Sequence, residues 1–267
     1  MSDARKTNRT VRRIFDYFAA MFIVVLIGAV LYPVFSTSRS HVSSPYSCAS
    51  NLNQLGLGLA QYAQDYDGRL PIGNAVGSPG AGWAGPIMGY VKTWVIFHCP
   101  NDAAPPVASR TWPKPISYAF NSNAAGRQGR RFSEPANTVL LFETTGSIAD
   151  PTDSGSRYAH GEFTPAGNGR DDSLYCLPDR RLGPVRYATG WLGGLRAGPH
   201  EQFAGRVGRH VDGANYLLAD SHVAWMKPGD VSPGANAPSP SAAQTGILRG
   251  HAAGTANDGF VATFSIK

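Results

Sequence analysis

His210, Asp212, Asp220 and His222 lie within thirteen residues of one another near the end of the chain. Imidazole and carboxylate groups together suit several divalent metals. On adjacent strands a histidine and an aspartate can approach a common point, and His200 could supply a further ligand. A metal-dependent hydrolase around His210 is therefore one hypothesis for this segment.

The same residues fit a simpler structural explanation. Two alternating runs, Ala214–Ala219 and His222–Met226, flank Asp220-Ser221, which is typical of a β-hairpin with a two-residue turn. Aspartate is common in tight turns. We therefore predict a structural hairpin motif of His210, Asp220 and His222, with His210 hydrogen-bonded to the hairpin backbone or to Asp220. On this interpretation the chain has no catalytic residue, no metal site and no cofactor.

The chain has three cysteines, Cys48, Cys99 and Cys176. Cys48 begins the apolar stripe of a predicted helix, and Cys99 follows a predicted strand that we expect to pack on that helix. A disulfide between Cys48 and Cys99 would link the two elements, and two buried free thiols are the open alternative. His98 beside Cys99 is a weak zinc signal without a second such pair nearby.

Residues 17–35 contain no charged or amide side chain, and this length suits an α-helix that crosses the roughly 30 Å core of a bilayer. We predict a transmembrane helix over residues 14–36, with a cleaved signal peptide as the rival interpretation. Residues 1–13 carry five basic residues against one acidic residue, so they account for +4 of the net charge of +6. This basic stub predicts a cytoplasmic N-terminus and a single-pass protein, and it removes the case for a nucleic-acid partner.

A second helix is predicted within residues 37–67, after a polar join. Its apolar residues recur at spacings of three and four, which places them on one helix face. They are Cys48, Leu52, Leu55, Leu59, Tyr62 and Tyr66. Ser44-Pro45 is typical of a helix start, and Asp67-Gly68 of a helix end.

Residues 68–267 read as a loop-rich β outer domain. The predicted strands are Val91–Phe97, Ile116–Asn121, a central strand Thr138–Glu143, the hairpin, and a closing strand Phe260–Ile266. Loops are predicted over residues 72–90 and 229–259, and residues 146–209 are irregular. The sequence thus predicts an α+β fold: a transmembrane helix continuing, after a break near Pro45, into an amphipathic helix packed on an antiparallel sheet.

An ordered series of motifs resembles a family of bacterial pilin-like proteins, which have a prepilin-type N-terminal helix and an outer domain of unknown function. The motifs begin at Cys48-Ala-Ser-Asn-Leu, Tyr62-Ala-Gln-Asp-Tyr, Phe97-His-Cys-Pro-Asn-Asp, Ser117-Tyr-Ala-Phe-Asn, Pro135-Ala-Asn-Thr-Val and Arg209-His-Val-Asp-Gly. The glycine that precedes the family's cleavage site is absent here, and Ser221 replaces a favoured glycine.

The resemblance implies a non-enzymatic, membrane-anchored subunit of a secretion pseudopilus or surface filament, with its outer domain periplasmic or extracellular at the bacterial inner membrane. It implies self-association, or association with other pilin-like subunits, through the N-terminal helix. Asp16 aligns with the family's early glutamate and would offset a positive group on a neighbour. The alternative from another class is a carbohydrate- or ligand-binding module that stacks its ligand on Trp83, Trp94, Trp112 and Trp191.

Overall fold

The computed structural model describes residues 17–27, 45–72, 82–102, 114–149, 166–170, 185–194, 200–246 and 250–267. The chain divides into two compact units, Met1–Ser43 and Ser44–Lys267. Each unit is described separately below. The elements that position the candidate site all belong to the second unit.

In the first unit, residues 17–27 form helix α1. Residues 17–27 of this helix extend roughly 16 Å, about half of a bilayer's hydrocarbon core. No helix in the described part of the chain is both long enough and apolar enough to span a membrane. The prediction of a transmembrane helix over residues 14–36 is therefore wrong, as is the single-pass inner-membrane location that followed from it. Asp16 lies outside the described residues.

Helix α2, Pro45–Asp65, has the predicted bounds. Four residues of its predicted stripe, Cys48, Leu52, Leu55 and Leu59, are each at most 1% exposed. The last two are not buried, since Tyr62 is partly exposed and Tyr66, just past the helix, is 52% exposed. The helix ends where Asp67 and Gly68 adopt positive φ angles of 54° and 75°. Glycine adopts such angles without strain, which explains why the helix stops there.

The segment after α2 differs from the prediction. A loop was expected over residues 72–90 and a strand over Val91–Phe97, but helix α3 covers Ala84–Val91 and a 3₁₀ helix covers Val95–Phe97. Packing decides the outcome, because Ile87, Ile96 and Phe97 are buried in the same core as the stripe of α2. α3 also approaches α2 closely at Gly58, where an added Cβ would lie 2.5 Å from a methyl group of Val91.

Four strands form the antiparallel body of the main sheet: β1 (Lys114–Asn121), β2 (Val139–Ala149), β5 (Ala214–Leu218) and β6 (Val223–Met226). They lie in the order β1-β2-β5-β6, so β2 is central as predicted. Short β3 (Ala166–Gly167) pairs in parallel with β1, and β4 (Arg186–Tyr187) pairs antiparallel with the middle of β2, at Thr144 and Thr145. The predicted closing strand is reduced to β8 (Ala262–Thr263), which pairs with β7 (Val231–Ser232) in a separate sheet.

Side chains alternate across this sheet, and each face covers its own core. Leu217 of β5 joins the core beneath α2, whereas Tyr216 and Leu218 enter a second core on the other face. That second core includes Phe203 and Phe264, contributed by the irregular and C-terminal parts of the chain. The result is a mixed α+β fold in which helices cover one face of the sheet and loop segments cover the other.

The hairpin loop is one residue longer than predicted. Leu218 and His222 bracket a three-residue loop, because the Leu218 N–H donates to His222 O and the Ser221 N–H donates to Leu218 O, both at 2.9 Å. Ser221 has a φ of 76°. This is the geometry of a turn followed by a left-handed bulge residue, a position that glycine usually fills.

Candidate functional site

The structure separates the residues of the predicted metal cluster. His210 precedes β5, whereas Asp220 and His222 lie at the loop that joins β5 to β6. There His222 Nδ1 lies 2.6 Å from Asp220 Oδ1, and the His222 N–H donates to the same oxygen. Asp212 is exposed and faces Lys227 at 3.7 Å. His200 begins a short 3₁₀ helix, His200–Gln202.

The Asp220–His222 pair closes the hairpin loop. Partial burial opposes ionisation of Asp220, but the hydrogen bonds from the side chain and backbone of His222 outweigh it and lower the pKa of Asp220. Both side chains remain substantially exposed. Their contacts are those of a loop-closing pair.

His210 lies in a different environment from the one predicted. Its side chain is 1% exposed, and its Nε2 lies 2.8 Å from Glu143 Oε1 on β2 rather than near Asp220. The predicted side-chain bond to the hairpin backbone or to Asp220 is replaced by this contact with Glu143. The backbone of His210 is held nearby, because the His210 N–H donates to Gly213 O and His210 O accepts from Trp225 Nε1 at 3.0 Å. These bonds therefore fix the backbone of His210, and its ring contacts Glu143.

A disulfide joins Cys48 to Cys99, and both residues are fully buried. It ties the first turns of α2 to the segment that follows the 3₁₀ helix. His210 lies against this disulfide, with 3.8 Å between Cys99 Sγ and His210 Nε2. One potential ligand atom from each of four residues, Cys48, Cys99, Glu143 and His210, lies within 4.8 Å of the other three.

Glu143 is the member of this cluster that was not identified as functional from the sequence. It was predicted only as the end of the central strand, yet it is fully buried. Its Oε1 accepts from His210 and from Asn215 Nδ2 at 3.3 Å. Its Oε2 and His210 Nδ1 are buried without a hydrogen-bond partner among the described residues. A carboxylate in the most apolar predicted strand was the available signal, since a buried charge needs a partner.

A cavity of about 470 Å³ adjoins this cluster. Its lining residues are Ala49, His210, Val211, Asp212, Asn215, Val223 and Trp225. Val211 is 85% exposed and has a φ of 66°, which is a strained conformation for a β-branched residue. The segment from His210 to Gly213 is thus held in a tight turn at the cavity wall.

Arg209, the neighbour of His210, belongs to a second buried cluster. Its Nη2 lies 3.2 Å from Asp102 Oδ2 and donates to Thr144 O. Ser117 Oγ donates to Asp102 Oδ2 at 2.7 Å, and Thr145 Oγ1 donates to Asp102 Oδ1 at 2.5 Å. Both carboxylate oxygens of Asp102 are therefore hydrogen-bonded. This cluster fixes the loop after Cys99 to the sheet.

The tryptophans proposed as a stacking platform have different environments. Trp83 is fully buried in the core under α2, and Trp94 is 38% exposed. Trp191 is half-buried, with Arg206 Cζ 5.1 Å from its ring centroid. Trp112 lies outside the described residues. Burial of Trp83 removes it from any ligand-binding platform.

No protein-family model, curated protein or solved structure matches the chain. The function of the chain therefore has to be inferred from its own residues and surfaces.

Proposed function

We propose that the chain is a non-enzymatic structural subunit of a pilin-like assembly, which associates with further copies or with related subunits through α1. The observation that carries this proposal is the exposure of α1. All of its residues are exposed, and its large apolar side chains range from 50% exposed at Leu26 to 75% exposed at Tyr17.

A helix that is apolar on every side is normally buried, because the exposed apolar surface is unfavourable in water. α1 presents tyrosine, phenylalanine, methionine and aliphatic residues around its whole circumference. Packing against the same helix of other copies would remove this surface from water without requiring a complementary groove. Self-association is thus the simplest way to cover α1.

The second compact unit supports a structural role. Its α2 stripe, its disulfide and the Asp102–Arg209 cluster all link elements that are distant in the sequence. The motifs that resemble the pilin-like family contribute these same residues: one supplies Cys48, another supplies Cys99 and Asp102, and a third supplies Arg209 and His210. In this chain the motifs that carry the resemblance hold the fold together.

The experiment compares two valines with the same exposure. Val25 of α1 is 61% exposed, and Val261 of the second unit is 60% exposed. The full-length chain and its Val25→Asp and Val261→Asp variants are compared by sedimentation velocity and lysine crosslinking. We expect the full-length chain and Val261→Asp to form multimers, and Val25→Asp to weaken association at least about tenfold.

Circular dichroism and the retained disulfide verify that both variants are folded. Equal multimer formation by Val25→Asp and Val261→Asp would show that α1 is not the assembly surface. A monomeric full-length chain at all concentrations would reject the assembly proposal itself.

A further inference from the structure

We propose that Cys48, Cys99, His210 and Glu143 form a closed, structural zinc site when the Cys48–Cys99 disulfide is reduced. The inference concerns the cluster beneath α2 and is independent of the association proposed for α1. It assigns a metal to a set of residues that the sequence alone does not group together.

The chemistry of the donor set points to zinc. Two thiolates, one imidazole and one carboxylate are all established zinc ligands, and four protein ligands in a tetrahedron are typical of structural sites. Thiolates favour zinc over magnesium or calcium, which prefer oxygen ligands. Because the protein supplies all four ligands, no coordination position is left for a substrate.

The distances are close to those of such a site. Zinc–ligand bonds of roughly 2.0–2.3 Å in a tetrahedron place neighbouring ligand atoms about 3.3–3.8 Å apart. Cys99 Sγ and His210 Nε2 are 3.8 Å apart, and His210 Nε2 and Glu143 Oε1 are 2.8 Å apart. The main movement required is separation of the two sulfur atoms after their bond is broken.

Burial and hydrogen bonding make the cluster unusual as a purely structural feature. Glu143 and the Cys48–Cys99 pair are fully buried, and His210 is 2% exposed. Two of the polar atoms in the cluster, Glu143 Oε2 and His210 Nδ1, have no hydrogen-bond partner in the part of the chain that the structure describes. Burying a carboxylate with one oxygen unused is unfavourable, whereas a dication beside it would offset that cost.

The backbone around each ligand is held independently of the disulfide. Cys48 lies on α2, Glu143 lies on the central strand β2, and His210 is fixed by its bonds to Gly213 and Trp225. The segment carrying Cys99 is fixed by the Asp102 N–H, which donates to Cys99 O, and by the contacts of Asp102 with β1 and β2. Reduction should therefore release the two sulfur atoms from each other while the backbone around the four ligands keeps its position.

The reaction balances with a dithiol as the reductant. The dithiol transfers two electrons and two protons to the Cys48–Cys99 disulfide, which becomes two thiols while the dithiol becomes a cyclic disulfide. Zinc then displaces both thiol protons to solvent. His210 coordinates through Nε2, whose proton moves to Nδ1, and Glu143 exchanges its hydrogen bond from Nε2 for a bond to the metal.

The test measures zinc and cobalt binding by the full-length chain, oxidised and after anaerobic reduction with a dithiol. We expect one equivalent of zinc bound at the cluster only after reduction. Cobalt in place of zinc should give sulfur-to-cobalt charge-transfer absorption and the visible spectrum of a tetrahedral site. The oxidised chain should give neither signal.

Three variants separate the cluster from other metal-binding groups. Cys48→Ser with Cys99→Ser should abolish the cobalt signal, and Glu143→Gln and His210→Gln should each weaken affinity by about 10- to 100-fold, the size of effect that loss of a metal-orienting residue typically has. Cys176→Ser is the matched control, because it removes the remaining cysteine of the chain and should leave binding unchanged.

Either of two results would overturn the proposal. The first is a reduced chain that binds no more zinc than the double cysteine variant. The second is binding that survives Glu143→Gln and His210→Gln, which would show that the thiols bind metal in an unfolded or rearranged chain. Circular dichroism of the reduced chain, with and without zinc, identifies which of these states is present.

Discussion

Two buried carboxylates contact the adjacent residues Arg209 and His210, and they differ in how completely they are hydrogen-bonded. Asp102 uses both oxygens, accepting from Ser117 and Thr145 and pairing with Arg209. Within the described ranges Glu143 uses only Oε1, and its Oε2 has no partner there. A fully bonded buried charge is explained by the fold that surrounds it, whereas a partly bonded one suggests a further role.

The two clusters also differ in the charge of the groups that contact each carboxylate. Asp102 sits beside a permanent positive charge, because arginine stays protonated in proteins. Glu143 has a histidine and an amide as partners. Replacing each acid by its amide therefore removes a strong ion pair in one cluster and a weaker set of contacts in the other.

The largest expected effect is that of Asp102→Asn. At the Oδ2 position the amide nitrogen would face the guanidinium of Arg209, and at the Oδ1 position it would require the Thr145 hydroxyl to accept instead of donate. Arg209 also loses its buried counter-charge. We expect a loss of about 3–5 kcal/mol in the free energy of unfolding, measured by urea denaturation of the oxidised chain.

Glu143→Gln is the matched control for this prediction. Its amide nitrogen can occupy the position of Oε2, which faces no donor, so the expected loss is only about 1–3 kcal/mol, from burying unpaired N–H groups. Equal losses in the two variants would show that the unused oxygen of Glu143 does not distinguish the clusters.

The sequence predicted the elements whose signals are local. The four-and-three spacing that begins at Cys48 predicted α2, although its last member, Tyr66, lies just past the helix end at Asp65. The alternation in Ala214–Met226 predicted the β5–β6 hairpin. The apolar segment Val91–Phe97 is too short for its periodicity to separate strand from helix. Its conformation depends on packing against α2, which is not encoded within the segment itself.

The contacts of the candidate site likewise divide into local ones, which the sequence can predict, and long-range ones, which it cannot. A carboxylate at the end of the most apolar strand could be flagged from the sequence, but its partners could not be identified. His210 is 67 residues from Glu143 and 111 residues from Cys99, so only the order of strands in the sheet brings these residues together. The Asp220–His222 pair, two residues apart, illustrates the opposite case of a contact made locally.

A smaller effect is expected from Ser221→Gly at the hairpin loop. Ser221 has a φ of 76°, which costs a residue with a Cβ roughly 1 kcal/mol relative to glycine. We expect Ser221→Gly to raise the free energy of unfolding by about 1 kcal/mol. The exposed Ser133, which lacks a positive φ, is the control, and Ser133→Gly should destabilise slightly.

Ser221→Gly also tests whether the Asp102 cluster is energetically independent of the hairpin loop. Ser221 bonds to Leu218 and has no described partner in common with Asp102. Its stabilisation should therefore add to the loss caused by Asp102→Asn within about 0.5 kcal/mol. A clearly non-additive double variant would mean that the Asp102 cluster reaches the hairpin loop through the sheet.

The smallest effect concerns His98, which lies beside the Asp102 cluster. Burial lowers the pKa of His98 below its ordinary value of 6.5, while Asp102 opposes this shift and Arg209 reinforces it. As the pH falls through about 6.5, the unfolded chain takes up a proton before the folded chain does. The free energy of unfolding should therefore decrease as the pH falls from 7, until the pH reaches the folded pKa of His98.

His98→Gln should remove this part of the pH dependence. Asp102→Asn should lower the pKa of His98 further, because the opposing carboxylate is gone. NMR titration of the His98 ring checks both statements, and a pKa at or above 6.5 in the unsubstituted chain would contradict the assignment of His98 to a partly buried position under the influence of Arg209.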